Sequence, residues 1–224
     1  MTEKKIIGLL TIGQSPRPDM TADLNPIFEG KAEYIEAGAL DGLTKNQVES
    51  MKPEPGEHFL VTRLADGSMV TLAARHLSDL MQQQVSRLEA KGASALMILC
   101  TEAFQPFDCS IPVIYPNDVL KVLVPIAAPD GHIGVILPEA GQMEDFAEVW
   151  KQVVPNVTAA HGSPYAGDGS LEHAAKSFAH TDVGLIVLDC MGYSSGQQEL
   201  VSELSGKPVL LSRTLAAKVL MELI

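Results

Sequence analysis

Ala95-Leu-Met-Ile-Leu-Cys100-Thr-Glu102 and Gly184-Leu-Ile-Val-Leu-Asp189-Cys190-Met191 are the two stretches that decide the fold. Each is a short aliphatic run that ends near a cysteine, and its length and composition read as a buried strand. Each is followed by a loop and then by a second short run, Ile111-Pro-Val-Ile-Tyr115 or Lys207-Pro-Val-Leu-Leu211. A helix-like stretch rich in Leu, Val and Ala comes next in both cases. One unit therefore occurs twice, and it carries Cys100 and Cys190 at matching positions. If the two halves face each other, so do the thiols, which is a site for moving protons on and off one carbon from opposite sides.

Outward from these runs, apolar segments alternate with amphipathic ones, the pattern of parallel strands joined by crossover helices. Strands are expected at 5–11, 33–37, 95–100 and 113–115, and again at 132–137, 156–161, 184–190 and 209–211. Helices are expected over 43–51, 73–91, 118–126, 142–153, 171–179, 195–204 and 214–223. One segment breaks the alternation. Residues 59–64 and 69–72 flank Ala65-Asp-Gly-Ser68, a hairpin signal inserted in the first half. The clearest interruption runs from Pro125 to Gly131, through Pro129-Asp-Gly131. Both halves open alike. Strand 5–11 runs into Gln14-Ser-Pro-Arg17, and strand 132–137 runs into Pro138-Glu-Ala-Gly-Gln142. Ligands of parallel α/β sheets bind outside the carboxyl ends of the strands. The loops after the first strand and the cysteine strand of each half are thus expected to line the site.

Composition excludes several classes. Hydrophobic residues are 46% of the 224 and aromatic ones 5%, so the core has to be aliphatic. A net charge of −12 with only 16 Lys+Arg argues against a nucleic-acid partner. No stretch approaches the ~18 consecutive apolar residues of a membrane span. The opening Met1-Thr-Glu-Lys-Lys5 leads into a run too short for a secretion signal. A cytoplasmic protein is expected, with its three cysteines as thiols. His58, His76, His132, His161, His173 and His180 show no metal-ligand spacing, and no nucleotide-binding glycine motif is present. No metal and no cofactor are expected.

Cys100 and Cys190 are the candidate catalytic groups. A lone cysteine at a strand end is as readily a small core residue as a reactive one. Two in matched positions, flanked by Thr101 and Glu102 or by Asp189 and Met191, favour chemistry. Cys109 has no counterpart in the repeat and reads as structural. Gly192-Tyr-Ser-Ser-Gly196 matches the nucleophile elbow of hydrolases. Neither Asp nor His follows it in the chain, so a hydrolase triad cannot be completed. Gly192, Tyr193 and Ser194 instead read as a helix-opening loop suited to an anion. Gln14, Ser15 and Arg17 follow the first strand, and an arginine fork suits a carboxylate. An ordinary polar turn between Pro16 and Pro18 is the plain alternative.

Gly8-Leu-Leu-Thr-Ile-Gly-Gln-Ser-Pro-Arg-Pro-Asp19, with Ile98-Leu-Cys-Thr-Glu102 and Leu188-Asp-Cys-Met-Gly-Tyr193, resembles the AroM family of bacterial proteins. That family is similar in turn to the cofactor-independent aspartate/glutamate racemase superfamily, which includes hydantoin racemases and arylmalonate decarboxylases. The resemblance implies two pseudo-symmetric α/β domains of the Asp/Glu racemase type, each with a parallel sheet and one strand-end cysteine. On this footing the first domain covers 1–116 with the helix 212–224, and the second covers 117–211. Cys100 and Thr101 match the first-domain thiol and the hydroxyl residue near it, Cys190 matches the second-domain thiol, and Gln14 and Ser15 match the carboxylate-cradling loop. A homodimer is also implied. The chain departs from the racemases after each cysteine, with Thr-Glu in the first domain and Met-Gly-Tyr in the second, so the amino-acid recognition set is not preserved. The expected activity is racemisation or epimerisation of a small carboxylate-bearing metabolite. A single-thiol decarboxylase or isomerase, or a protein that binds a metabolite without turning it over, are the alternatives.

Overall fold

The computed structural model describes residues 4–128 and 130–224. The opening Met1-Thr-Glu3 and Pro129 of the expected interruption lie outside them. The chain divides into two compact units, 1–115 with 219–224, and 116–218.

The first unit holds β1 (Lys5–Thr11), α1 (Pro18–Phe28), β2 (Ala32–Gly38), α2 (Lys45–Glu49), β3 (Phe59–Arg63), β4 (Met69–Ala73), α3 (Leu77–Ala90), β5 (Ala95–Ile98) and β6 (Val113–Ile114). Its main sheet is parallel, in the order β2-β1-β5-β6. β1 and β5 lie in the middle, and all four residues of β5 are buried. A strand covered on both faces needs apolar side chains at every position, which is why 95–98 reads as a continuous run rather than an alternating one. Leu10, Ile12, Leu96 and Ile98 share one face with Leu77, Met81, Val85 and Leu88 of α3. β3 and β4 pair antiparallel as the separate hairpin, with Phe59 opposite Ala73 and Arg63 opposite Met69.

The second unit holds α4 (Pro116–Ala127), β7 (His132–Leu137), α5 (Met143–Lys151), β8 (Asn156–His161), α6 (Ser170–Ser177), β9 (Leu185–Leu188), α7 (Ser195–Ser205), β10 (Val209–Leu211) and most of α8 (Ser212–Met221). Its parallel sheet runs β10-β9-β7-β8. Alternation along its strands is visible in the packing. Ile133, Val135, Leu137, Leu185 and Val187 join Trp150, Leu120 and Val124 on one face. Ile136, Ile186 and Leu188 join Leu171, Phe178 and Val201 on the other.

The sheets are wired identically, and the register fixes which residues correspond. Gly8 sits opposite Leu96, and Gly134 opposite Ile186. Leu99 N donates to Leu10 O at 2.7 Å, and Asp189 N to Ile136 O at 3.1 Å. Met97 pairs with Ile114, and Val187 with Leu210. Cys100 and Cys190 are therefore equivalent residues, two beyond the ends of β5 and β9. Gly8 and Gly134 occupy the same central position for the same reason. A Cβ on Gly8 would run into Leu96, and one on Gly134 would lie 2.8 Å from Phe178.

The strands fall where the sequence puts them, apart from ends that shorten or lengthen by one or two residues. α1 is the element that sequence reading missed. Pro18 reads as a turn former, yet it opens the helix, and Pro26 sits inside its last turn. At the first helical position the missing N–H is not needed and the fixed φ suits the helix. Pro125 likewise lies inside α4, which continues to Ala127.

Candidate active site

Each cysteine lies just past a buried strand, is itself half-buried, and is followed directly by a buried residue, Thr101 or Met191. Each sulfur accepts the backbone N–H of the residue two positions on. Glu102 N lies 3.4 Å from Cys100 Sγ, and Gly192 N lies 3.3 Å from Cys190 Sγ. An N–H donated to sulfur favours the thiolate over the thiol, because the charged form is the better acceptor. All three cysteines are thiols. Cys109 donates to Ile111 O within its own loop.

The loop after β9 is fastened along its whole length. Trp150 Nε1 donates to Asp189 Oδ2 at 2.7 Å, and Ser212 Oγ to Cys190 O at 3.1 Å. Arg213 is wholly buried, and it donates through Nε to Met191 O at 2.8 Å and through Nη2 to Gly192 O at 2.9 Å. Tyr193 is core, and its hydroxyl donates to Gly162 O at 2.6 Å. Burial, followed by the neighbouring Cys190 and Asp189, holds its phenol well above its ordinary value of 10.0, so it remains a donor. Ser194 caps α7 in a capping box. It accepts from Gln197 N, while the Gln197 side chain accepts from Ser194 N. The G-x-S-x-G serine thus serves a helix terminus. Met191 is buried, and Gly192 lies under Tyr165 and Pro164.

In the first unit, Glu102 Oε1 accepts from Ala103 N at 3.1 Å, and Oε2 lies 3.0 Å from His58 Nε2, just before the hairpin. The first loop is bound to its surroundings at every residue named from sequence. Gln14 donates to Leu40 O at 3.3 Å and accepts from Ala65 N at 2.9 Å. Ser15 N and Oγ both donate to Asp41, at 2.8 and 2.6 Å, and the Ser15–Pro16 peptide is cis. The fork of Arg17 is filled from within the chain. Nε and Nη2 grip the two oxygens of Asp19 at 2.9 and 2.8 Å, Nη1 reaches Thr11 Oγ1 at 3.0 Å, and the guanidinium is almost fully buried. The Arg17 N–H donates to Glu36 at 2.7 Å. Burial raises the Glu36 carboxyl above its ordinary value, and Arg17 pulls it back by less.

The structure therefore brings Cys100, Thr101 and Glu102 together in one unit, with Gln14, Ser15 and Arg17 in that unit's first loop. Cys190, Met191, Gly192, Tyr193 and Ser194 follow one another in the other unit. Tyr193 and Arg17 face protein partners, which sequence could not show. Sequence reading also missed Arg213, Ser212, Trp150, Asp41 and Tyr165. Ser212-Arg213 had a usable signal, because the pair directly follows the second copy of the short strand. Among the described residues no group of three or more His, Cys, Asp or Glu is placed to hold a metal, and no helix is long and apolar enough to cross a membrane.

A family model described as AroM protein matches residues 7–224. No curated protein matches the sequence. Solved structures of similar fold include aspartate racemase from Picrophilus torridus, 11% identical, covering 97% of this chain and 93% of that one with a TM-score of 0.56. Maleate isomerase from Pseudomonas putida is 11% identical over 96% and 90% of the two chains, with a TM-score of 0.63. Arylmalonate decarboxylase is 12% identical over 97% and 93%, with a TM-score of 0.61. At such identities the likeness shows a shared fold.

Proposed function

The chain belongs to the AroM family, and we propose that it is a cofactor-independent racemase or epimerase of a small carboxylate-bearing metabolite, working through Cys100 and Cys190. One observation carries this reading. The two equivalent strand ends each present a thiol whose sulfur accepts the amide two residues on. One thiolate takes the proton α to the carboxylate. The S–H bond forms as the C–H bond breaks, and the electron pair delocalises into the carboxyl group. The other thiol then returns its proton to the opposite face of the carbon and becomes the thiolate. Atoms and charge balance without a cofactor, and one turnover exchanges the protonation states of the two sulfurs. The activities of the similar folds, a racemase, an isomerase and a decarboxylase, support chemistry at a carbon next to a carboxyl group.

A single-thiol decarboxylase or isomerase is the second reading, favoured by the unequal surroundings of the sulfurs. Cys190 lies in a loop fastened by Ser212 and Arg213, whereas Glu102 beside Cys100 is tied to His58. The test is deuterium wash-in at the α-carbon of a panel of small chiral carboxylates in heavy water. Cys100→Ser and Cys190→Ser should each lower racemisation by at least about a hundredfold, and each should spare exchange from a different enantiomer. If only one substitution matters, the single-thiol reading stands. If neither changes exchange in folded protein, proton transfer by these thiols is wrong.

A further inference from the structure

We propose that Arg213 is the positioning residue of Cys190, acting through one peptide group; the proposal rests on the reading that Cys190 is a working thiol. A trans peptide holds its C=O and N–H in one plane and pointing in opposite directions. In the Met191–Gly192 peptide, both ends are engaged. Its carbonyl accepts from Arg213 Nε at 2.8 Å, and its N–H donates to Cys190 Sγ at 3.3 Å. Drawing the oxygen towards the guanidinium turns the N–H onto the sulfur. The same chain of bonds carries polarisation, since a cation at the oxygen end strengthens the N–H as a donor at the other.

Arg213 is 0% exposed, and a buried cation loses its hydration. It is held by two successive carbonyls, Met191 O and Gly192 O, while the preceding Ser212 holds Cys190 O. Two residues at the start of α8 thus fix three successive carbonyls of the thiol loop. The guanidinium can do this because its donors form a rigid planar fork, which an ammonium lacks.

The repeat supplies an internal control. Since Ile114 corresponds to Leu210, the residues corresponding to Ser212 and Arg213 are Pro116 and Asn117. Pro116 has no donor, and the Asn117 side chain donates to Asp118. Cys100 receives the equivalent N–H from Glu102 with no guanidinium supplied from that position. The two thiols are alike in fold and unlike in what stands behind them.

The experiment follows alkylation of each cysteine by iodoacetamide across a pH series, read by peptide mass spectrometry on the full chain. Arg213→Gln should move the Cys190 curve to higher pH by about one unit and leave the Cys100 curve in place. Arg213→Lys, which keeps the charge but not the fork, should move it less. Ser212→Ala, which leaves the Met191–Gly192 peptide untouched, should not move it. If Arg213→Gln does not fold, the lysine and Ser212 variants still decide. An unmoved Cys190 curve in folded Arg213 variants overturns the proposal, as does an equal movement of Cys100 or an equal effect of Ser212→Ala. If Cys190 responds as expected while no carboxylate exchanges deuterium, the positioning role stands and the racemase reading falls.

Discussion

At Gly192 a hydrogen stands where any other residue would place a carbon. A Cβ there would run into the hydroxyl and ring of Tyr165 and approach Pro164 at 3.1 Å. Gly192→Ala should therefore force the 162–169 loop outward and lower stability by about 1–3 kcal/mol, read as a reduced urea midpoint. An unchanged midpoint would show that Tyr165 swings away at no cost. The sequence identifies this glycine as part of a loop between strand and helix, but not the ring above it, because Tyr165 is 27 residues away in the chain. The cysteines are the opposite case. Their positions were legible because each closes an aliphatic run, a local signal. Arg213 was legible only through its place after the second copy of the short strand, because a charged residue at a helix start normally reads as surface.

Among the described residues, the hairpin of β3 and β4 has no counterpart in the second unit, just as α7, between β9 and β10, has none between β5 and β6. Its attachment to the first loop passes through Gln14, which accepts the Ala65 N–H and donates to Leu40 O, and through Gln14 N, which donates to Arg63 O at 3.1 Å. Gln14→Ala removes two side-chain bonds, each contributing roughly 0.5–1.5 kcal/mol net. Hydrogen exchange should report it as faster exchange at Ala65 and the adjoining hairpin amides, with β1 and β5 unchanged. Equal protection across the hairpin would mean that its docking rests on apolar contacts. Asp-Gly marked the turn of this element, and the turn chemistry made it visible from sequence. Its docking partner was not visible, since a glutamine in a loop has no periodicity to betray it. α1 failed for a related reason, as prolines mark both turns and the first turns of helices.

Over the whole molecule, the acidic balance meets its internal structure at Glu36. Its carboxyl is raised above 4.5 by burial, with Arg17 opposing less strongly. A raised folded value means that the native state holds the proton more firmly than the unfolded chain. The stability this contributes is complete below 4.5 and is lost as pH climbs through the folded value. Glu36→Gln keeps an acceptor for the Arg17 N–H and removes that dependence. Its urea midpoint should fall less steeply over this interval than that of the parent. Parallel curves for the two proteins would remove Glu36 from the acid response.

The return of the chain to its first unit has a consequence for synthesis. Residues 219–224, with Leu220 fully buried, belong with 1–115, although the whole of 116–218 is translated between them. Domains commonly fold in the order they leave the ribosome. Here the half that starts first is completed last. A nascent chain stalled after Lys218 would hold every residue of the later unit while the earlier one still lacked its closing segment.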